Sequence, residues 1–328
     1  MDALAGVGVE PCPRLNSEEL MGDRELSAAG FQALYERLRG HAQWGDDDRR
    51  GALNHITPAR LLAAAGEVQI GRSVTLASPL AGSAADNPHP GARHMKHLPG
   101  ESSDVAGVSF AADTLAMNVH GDVDSHIDAL CHVGYQGRLY NCVEPGAVTS
   151  AGASVLSIDD AHDGIAGRGV LLDIPAVRGV RWLEPGDCVT AADLAAAQEA
   201  QQVRVGPGDL LFVRVGHRRR RVELGPWDAA GSRAGLHPQA MEYLADHEVA
   251  ALGSDGNSDT APSLVDGVAF PVHVLAINAM GLHLVDYLQF DDLLPVCQAA
   301  GRWSFLCVIA PLRLPGGTGS PVNPIAIL

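Results

Sequence analysis

The stretch Ser-His-Ile-Asp-Ala-Leu-Cys-His, residues 125–132, brings together three side chains that can bind a metal. His126, Asp128 and His132 occupy positions i, i+2 and i+6. In a strand, His126 and Asp128 lie on one side, and helical spacing puts Asp128 and His132 on one face. We therefore expect a strand that ends here and turns into a helix, so that one short segment aims three ligands at one ion.

Imidazole and carboxylate are the ligands expected for zinc, manganese or iron with a coordination position left open for water. The chain has 14 histidines, so a buried hydrogen-bonded network without metal is the alternative interpretation of this spacing. Cys131 lies inside the stretch, but a small buried hydrophobic side chain is the simpler role for it. The flanking residues decide between the two interpretations.

Those flanks carry a resemblance to a known family. Asn-Val-His-Gly at 118–121 precedes the stretch, and Gly-Arg-Leu-Tyr-Asn at 137–141 follows it. With them the chain resembles the metal-dependent cyclase family, which includes bacterial kynurenine formamidase and isatin hydrolase. That family carries a Thr/Ser-His-x-Asp-Ala/Pro-x-x-His core, and its longer members add His-Gly upstream and Gly-x-x-Tyr-Asn downstream.

Further matches follow in the family's order, at residues 44–54, 206–209 and 310–324. The resemblance implies an α/β fold with a single compact mixed domain, in which a β-barrel-like mixed sheet is flanked by helices (kynurenine formamidase-like, swivelling β/β/α). On this basis residues 44–328 form the catalytic domain and residues 1–43 an N-terminal extension. The resemblance also implies a homodimer or homotetramer.

Local patterns predict an α/β sheet independently of the resemblance. Short apolar runs bounded by Gly, Pro or Asp are typical of central strands covered on both faces. Thr57 and Thr190 stand at the starts of two helices, and Asp193 completes a capping-box pattern with Thr190. The predicted strands are 169–174, 209–215, 249–253 and 305–309. Strands alternating with helices favour an α/β sheet over a β-sandwich.

The amino-acid composition limits the kinds of partner that the protein is expected to bind. Lys and Arg number 23 against 39 Asp and Glu, which gives a net charge of −16 and argues against a nucleic-acid or anionic-membrane partner. The basic run at 218–221 is expected to be a solvated turn, with a subunit contact as the alternative. The six cysteines lack paired spacing and the N-terminus lacks a secretory pattern, so we expect a cytoplasmic protein with reduced thiols.

A second group of candidate residues begins at His273, where a short apolar helix-like stretch is predicted to end at Gly281 and an extended segment to follow. The resemblance implies that His273 lies in the active site. It also implies that an acidic residue about a dozen positions later completes the metal shell, and Asp286 fills that place. The small formamidases have Glu there, so direct ligation by Asp286 stays open.

The chain departs from the small family members upstream as well, because they have His where this chain has Asp122. His120, six residues before His126, is the candidate to reach the site by a longer turn, which leaves the choice between one and two ions open. His283 is expected at the surface or in an interface. No chemical role is expected for the remaining candidates His41, His89, His94, His97 and His162.

The resulting hypothesis is a Zn²⁺- or Mn²⁺-dependent hydrolase acting on an amide, lactam, lactone or formamide of a small, cyclic or aromatic substrate. A bound divalent ion lowers the pKa of water from 15.7 to about 7. His126 and Asp128 are the expected ligands, His132 a ligand or proton shuttle, and His273 the acid/base. A metal-dependent cyclase or dehydratase, and a non-catalytic ligand-binding member of the family, are the alternatives.

Overall fold

The computed structural model describes residues 25–41, 44–80, 91–97, 108 and 110–328. His89 and the side chain of His97, for which no role is expected, lie outside the described part, as do residues 1–24 of the predicted extension.

Helices and strands alternate along much of the chain. The α-helices are α1 Ala28–Arg39, α2 Pro58–Ala65, α3 Ile174–Arg178, α4 Ala191–Gln201, α5 His217–Leu224, α6 Ala240–Asp246, α7 Pro271–His273 and α8 Leu294–Ala300. Four 3₁₀ turns span Gly51–His55, Tyr140–Cys142, Pro145–Ala147 and Ile158–Ala161, and a π-helical segment, Val274–Met280, continues α7. The strands are β1 Ser73–Thr75, β2 Ala92–His97, β3 Ala112–Ala116, β4 His126–Asp128, β5 Val148–Thr149, β6 Gly152–Ala153, β7 Ile165–Asp173, β8 Cys188–Val189, β9 Leu210–Arg214, β10 Gly235–Leu236, β11 Ala251–Ser254, β12 His283–Asp286, β13 Ser304–Ile309, β14 Gly319–Pro321 and β15 Ile325–Ile327.

Nine strands form one mixed sheet in the order β1-β15-β13-β7-β9-β11-β12-β4-β14. The four central strands β7, β9, β11 and β12 run parallel, and the strands on both sides pair antiparallel. The sheet curls into a half-barrel flanked by helices. The predicted α/β fold class with a barrel-like mixed sheet is therefore confirmed, and all four predicted strands lie in this sheet.

The helix starts follow local side-chain chemistry. Thr57 accepts a hydrogen bond from the backbone N–H of Arg60 at the start of α2. Thr190 and Asp193 form a complete capping box at the start of α4. Both predictions are confirmed. Such caps can be predicted from the sequence because the side chain accepts from a backbone N–H only three residues away, at a helix start where that N–H has no partner within the helix.

Helix α1 belongs to the hydrophobic core. Phe31, Leu34, Tyr35 and Leu38 are buried on one face of it, in the same cluster as the strands of the central sheet. The division of the chain at residues 43 and 44 stays a prediction, but α1 packs against the body of the protein.

The prediction of a solvated turn at Arg218–Arg221 is wrong, because these residues lie in helix α5. Arg219 forms an ion pair with Glu223 one turn later, at 3.0 Å, and the Arg220 guanidinium lies over the Trp227 ring. Charge pairs at i and i+4, together with stacking on an aromatic ring, offset the repulsion within the basic run.

The cysteines and the length of the helices bear on the kind of protein this is. None of the five cysteines in the described part of the chain forms a disulfide, and four of them are buried, including Cys131. No helix among the described residues is long and apolar enough to cross a membrane.

Candidate metal centre

The metal-like stretch begins as a strand at the far side of the sheet. In β4, His126 pairs with Asp286 of β12, and Asp128 pairs with Gly319 of β14. Both β4 side chains are buried, as the spacing of two residues along a strand predicts. The sheet thus places one carboxylate from each of two neighbouring strands close to His126.

The helix expected after Asp128 does not form. The chain turns instead, with the His132 N–H donating to Ala129 O at 2.9 Å and the Cys131 N–H donating to Leu156 O at 3.0 Å. This turn still returns His132 to the site. Its position follows from a long-range hydrogen bond and not from helical periodicity.

His120, Asp128 and His132 form the tightest group, with one ligand atom from each within 4.8 Å of the others. His120 Nδ1 lies 2.8 Å from Asp128 Oδ1, and the His120 ring stacks on His132 with 3.7 Å between ring centroids. The longer turn considered for His120 therefore does bring its ring to Asp128.

Gly319 makes room for that ring. A Cβ at this position would lie 2.8 Å from His120 Cε1 and 2.6 Å from Ile127 O. Both contacts are closer than real Cβ atoms tolerate, and one of them is to backbone. Glycine at 319 is thus a requirement of the close approach between β14, β4 and His120.

His126 lies at the edge of this group. Its Nδ1–H donates to Asp124 O at 2.9 Å, which leaves Nε2 as the free nitrogen, 3.7 Å from Asp128 Oδ1. A hydrogen bond on one ring nitrogen fixes the tautomer in which the other can bind a metal. Of the three residues predicted as ligands, Asp128 and His132 lie in the tightest group and His126 lies beside it.

His273 enters the site from the first turn of α7. Asp259 holds it there: Asp259 Oδ2 accepts from the His273 backbone N–H at 3.0 Å and from Nδ1 at 2.5 Å. The other nitrogen, Nε2, lies 3.6 Å from Asp128 Oδ2 and 3.7 Å from Asp286 Oδ2. The helix begins at Pro271, two residues before the predicted start at His273, whereas its end at left-handed Gly281 and the following extended segment, β12, are confirmed.

Asp286 is buried and held by Ser258, whose hydroxyl donates to Oδ1 at 2.6 Å and whose backbone N–H donates to Oδ2 at 3.1 Å. Neither Ser258 nor Asp259 is among the catalytic or metal-binding residues predicted from the sequence. The structure makes Ser258 and Asp259 the buried supports of Asp286 and His273. The available signal was their position directly after a central strand, where polar loop residues gather.

Burial and neighbouring charges shift the pKa values of the aspartates and histidines in the site in opposite directions. Burial by itself raises the pKa of Asp128, but the hydrogen bond with His120 and the charges of nearby histidines hold this pKa well below its usual range. Burial lowers the pKa of His132 to about 4. Burial by itself lowers the pKa of His273, but the hydrogen bond and the charge of Asp259 raise this pKa to about 9. Burial and the charge of Asp128 raise the pKa of Asp286.

One polar atom of the site has no hydrogen-bond partner among the described residues. Asp128 Oδ2 is buried and accepts no hydrogen bond from them, although His273 Nε2 lies 3.6 Å away. A buried carboxylate oxygen without a hydrogen bond carries a desolvation cost, so this oxygen is suited to bind a cation or to accept from a further donor.

The group opens onto a cleft of about 560 Å³. Its lining combines the histidines and aspartates of the site with apolar residues and carries two aromatic rings, Tyr135 on one segment and Phe270 on another. Phe270 is 47% exposed, and its ring meets the His273 ring edge-on. Exposed Asp122 also lines the cleft and accepts a hydrogen bond from the Tyr287 hydroxyl at 3.2 Å.

The expectation that His283 lies at the surface or in an interface is wrong. His283 opens β12, is buried, and has no hydrogen-bond partner at Nδ1 among the described residues. Burial lowers its pKa to about 4. His41, His94 and His162 are exposed, and none of them lines the cleft.

Comparison with known proteins assigns the family. Residues 52–259, more than half of the chain, match the family model described as "Putative cyclase". The protein belongs to this cyclase family.

Individual relatives agree with that assignment. The protein is similar to a novel cyclase of known crystal structure, with 31% identity and a TM-score of 0.79 over 90% of this chain and 99% of the other. It is 29% identical over 147 residues to isatin hydrolase of Roseibium aggregatum, covering 43% of this chain and 53% of the relative. The chain thus matches about half the length of that curated relative.

An isatin hydrolase bound to the product analogue thioisatinate has a similar fold. Its structure gives a TM-score of 0.54 at 22% identity, over 82% of this chain and 95% of the other.

Proposed function

We propose that this protein is a metal-dependent hydrolase that cleaves an amide, lactam, lactone or formamide of a small cyclic or aromatic substrate. The observation that carries the proposal is Asp128. Its Oδ2 is buried at a cleft, accepts no hydrogen bond from the described residues, and lies 3.6 Å from Nε2 of the histidine that Asp259 holds.

The residues around Asp128 fit a divalent cation. Asp128, His120 and His132 supply a carboxylate oxygen and two imidazoles, and His126 adds a third imidazole whose Nε2 is free. Asp286 keeps lone pairs beyond its two hydrogen bonds from Ser258, which makes it a further candidate. A shell of nitrogen and oxygen suits Zn²⁺ and Mn²⁺ alike. When bound, such an ion supplies a water of lowered pKa and polarises a carbonyl.

His273 is the proposed acid/base. Its Nδ1 is committed to Asp259, so Nε2 is the nitrogen that exchanges a proton in the site. Nε2 faces Asp128 and lies at the cleft, within reach of a substrate seated there. In hydrolysis it would pass a proton to the leaving nitrogen or oxygen.

The walls of the cleft support the proposed substrate class. Val133, Tyr135, Val268 and Phe270 present apolar and aromatic surface around the group of histidines. Rings pack favourably against such walls, and the histidines and aspartates that line the same cleft can fix the orientation of a substrate. The isatin hydrolase relative is consistent with a cyclic amide.

The test is turnover in ¹⁸O-water by protein loaded with zinc or manganese, on a panel of cyclic amides including isatin, aryl formamides and lactones. Hydrolysis places the label in the product acid, and Asp128→Asn protein serves as the inactive control. Turnover without label would support the cyclase or dehydratase alternative instead. Tight binding of a panel compound without any turnover would support the non-catalytic alternative.

The remaining expectations stay predictions. They are a homodimer or homotetramer, a small-molecule substrate as the partner, and a cytoplasmic location.

A further inference from the structure

Helix α1 holds one wall of the cleft, although it precedes the predicted catalytic domain. The Tyr135 ring of that wall meets Phe31 edge-on at 5.9 Å and Tyr35 at 4.9 Å, measured between ring centroids. The Tyr135 hydroxyl donates to Gln32 Oε1 at 3.2 Å, and Gln136 Nε2 donates to the same oxygen at 2.8 Å. Three neighbouring residues of α1 therefore fix the position of one aromatic ring in the cleft.

A buried amide extends this connection. Asn278 Nδ2 donates to Val133 O at 3.0 Å and to Arg138 O at 2.9 Å, on either side of Tyr135. Asn278 Oδ1 accepts from the Tyr35 hydroxyl at 2.7 Å. Both N–H groups and the oxygen of this amide are thus used, and α1 supplies the only hydrogen bond described for the oxygen.

Asn278 also lies on the helix that presents His273. It stands five residues after His273, in the π-helical segment Val274–Met280, against which α1 packs. π-helical turns are rare and are found frequently at functional sites. One side chain therefore joins α1, the cleft wall and the helix of the proposed acid/base.

We propose that α1 is a positioning element of the substrate cleft. Through Tyr35 and Asn278, and through Gln32 and Tyr135, it sets the place of residues 133–135 and thereby the affinity for substrate. The statement about substrate affinity rests on the proposed function, whereas the statement that α1 positions residues 133–135 does not.

The experiment compares two Tyr→Phe substitutions, each of which removes one buried hydroxyl group. Tyr35→Phe removes the hydroxyl bonded to Asn278. Tyr243→Phe is the matched control, since the buried Tyr243 hydroxyl has no hydrogen-bond partner among the described residues. Hydrogen–deuterium exchange is followed in peptides covering residues 133–138. The amides of Tyr135 and Arg138 bond each other's carbonyls across the turn there and report on its stability.

Tyr35→Phe is expected to raise exchange in these peptides and to raise KM about three- to tenfold, the range set by one buried hydrogen bond. It should leave kcat within about twofold and metal content unchanged. Tyr243→Phe should change none of these. Gln32→Leu should repeat the effect of Tyr35→Phe, while Gln32→Glu, which keeps the acceptor for Tyr135, should restore the wild-type KM.

Equal exchange in Tyr35→Phe and Tyr243→Phe would overturn the positioning role. Faster exchange with an unchanged KM would overturn the link to affinity. If wild-type protein turns over no panel compound, the dissociation constant of thioisatinate, measured by calorimetry, replaces KM. In that case the proposed function fails, while the exchange rates still decide whether α1 positions the wall.

Discussion

Two clusters of buried carboxylates lie near strand ends in this protein, and they differ in how their charges are satisfied. The ion-pair cluster consists of Asp173, Arg214 and Asp255, at or just after the ends of β7, β9 and β11. Arg214 Nη1 lies 2.8 Å from Asp173 Oδ1, and Asp255 accepts the N–H groups of Val215 at 2.7 Å and Gly216 at 2.9 Å.

The cleft cluster consists of Asp128 and Asp286 with His120, His126, His132 and His273. The ion-pair partners of its two buried acids among the described residues are histidines, not arginine or lysine, and Asp128 Oδ2 accepts no hydrogen bond from these residues. This cluster also opens onto the cleft, whereas none of the three ion-pair residues lines that cleft.

The difference separates the ion-pair cluster from the cluster that we propose as the functional site. Burying a charge is costly unless partners compensate it, and the ion-pair cluster contains its partners within the chain. In the cleft cluster, Asp128 Oδ2 accepts no hydrogen bond from the described residues and has only His273 Nε2, 3.6 Å away, as an ion-pair partner among them. Burial of acids alone therefore does not distinguish the proposed site, but a carboxylate oxygen without a hydrogen bond at a cleft does.

The largest expected effect is on turnover in the cleft cluster. Asp128→Asn should lower turnover to the level of metal-free protein, because the central ligand loses its charge. Asp173→Asn, the matched change in the ion-pair cluster, should keep wild-type turnover per folded molecule. Steady-state kinetics on the best panel substrate measures both, and similar losses in the two variants would remove the distinction between the clusters.

His273→Ala should lower kcat by about 10² to 10⁴ while the protein keeps its metal, because the variant loses proton transfer and not a ligand. Turnover and metal content are measured on the same preparation. If the metal is lost together with the activity, His273 is a ligand and its role as acid/base is wrong.

In the ion-pair cluster, Asp173→Ala should lower the free energy of unfolding by about 3–5 kcal/mol, because Arg214 stays buried without its closest carboxylate. Urea denaturation gives the value. Metal content of the folded protein should not change. A loss below about 1 kcal/mol would show that Asp291, 4.0 Å from Arg214, is a sufficient substitute.

The smallest effect concerns pH. Burial raises the pKa of Asp255 to about 6, against the lowering effects of Arg214 and the two N–H groups. Because the folded pKa exceeds the unfolded one, the stability from this group is fully present below about pH 4 and is lost as the pH rises through about 6, by roughly 2–3 kcal/mol.

Unfolding free energies of wild-type and Asp255→Asn protein between pH 4 and 7 test this. The difference, wild type minus variant, should decrease as the pH rises. A difference that stays constant, or increases, would contradict the raised pKa.

Local chemistry made much of the fold predictable. Apolar runs between glycines and prolines gave the central strands, and the hydroxyl of Thr190 with the carboxylate of Asp193 gave the start of α4. The spacing of two residues placed His126 and Asp128 correctly in one strand. These features depend on neighbours within a few residues, which the sequence displays directly.

The errors and omissions have long-range causes. His132 was expected on a helix, but the Cys131 N–H bonds Leu156 O and the chain turns. Asp259 was not recognised as the support of His273, fourteen residues later, because nothing local to either residue shows that contact. His283 is buried by β11 and the core, which its own polar character does not suggest.

The measurement that tests the central claim most directly is the metal content of three purified proteins, by mass spectrometry, after each is offered zinc and manganese. We expect about one or two equivalents per chain in wild-type and Asp173→Asn protein, and none in Asp128→Asn. A wild-type protein that stays empty, or an Asp128→Asn variant that binds metal as wild type does, would contradict the central claim.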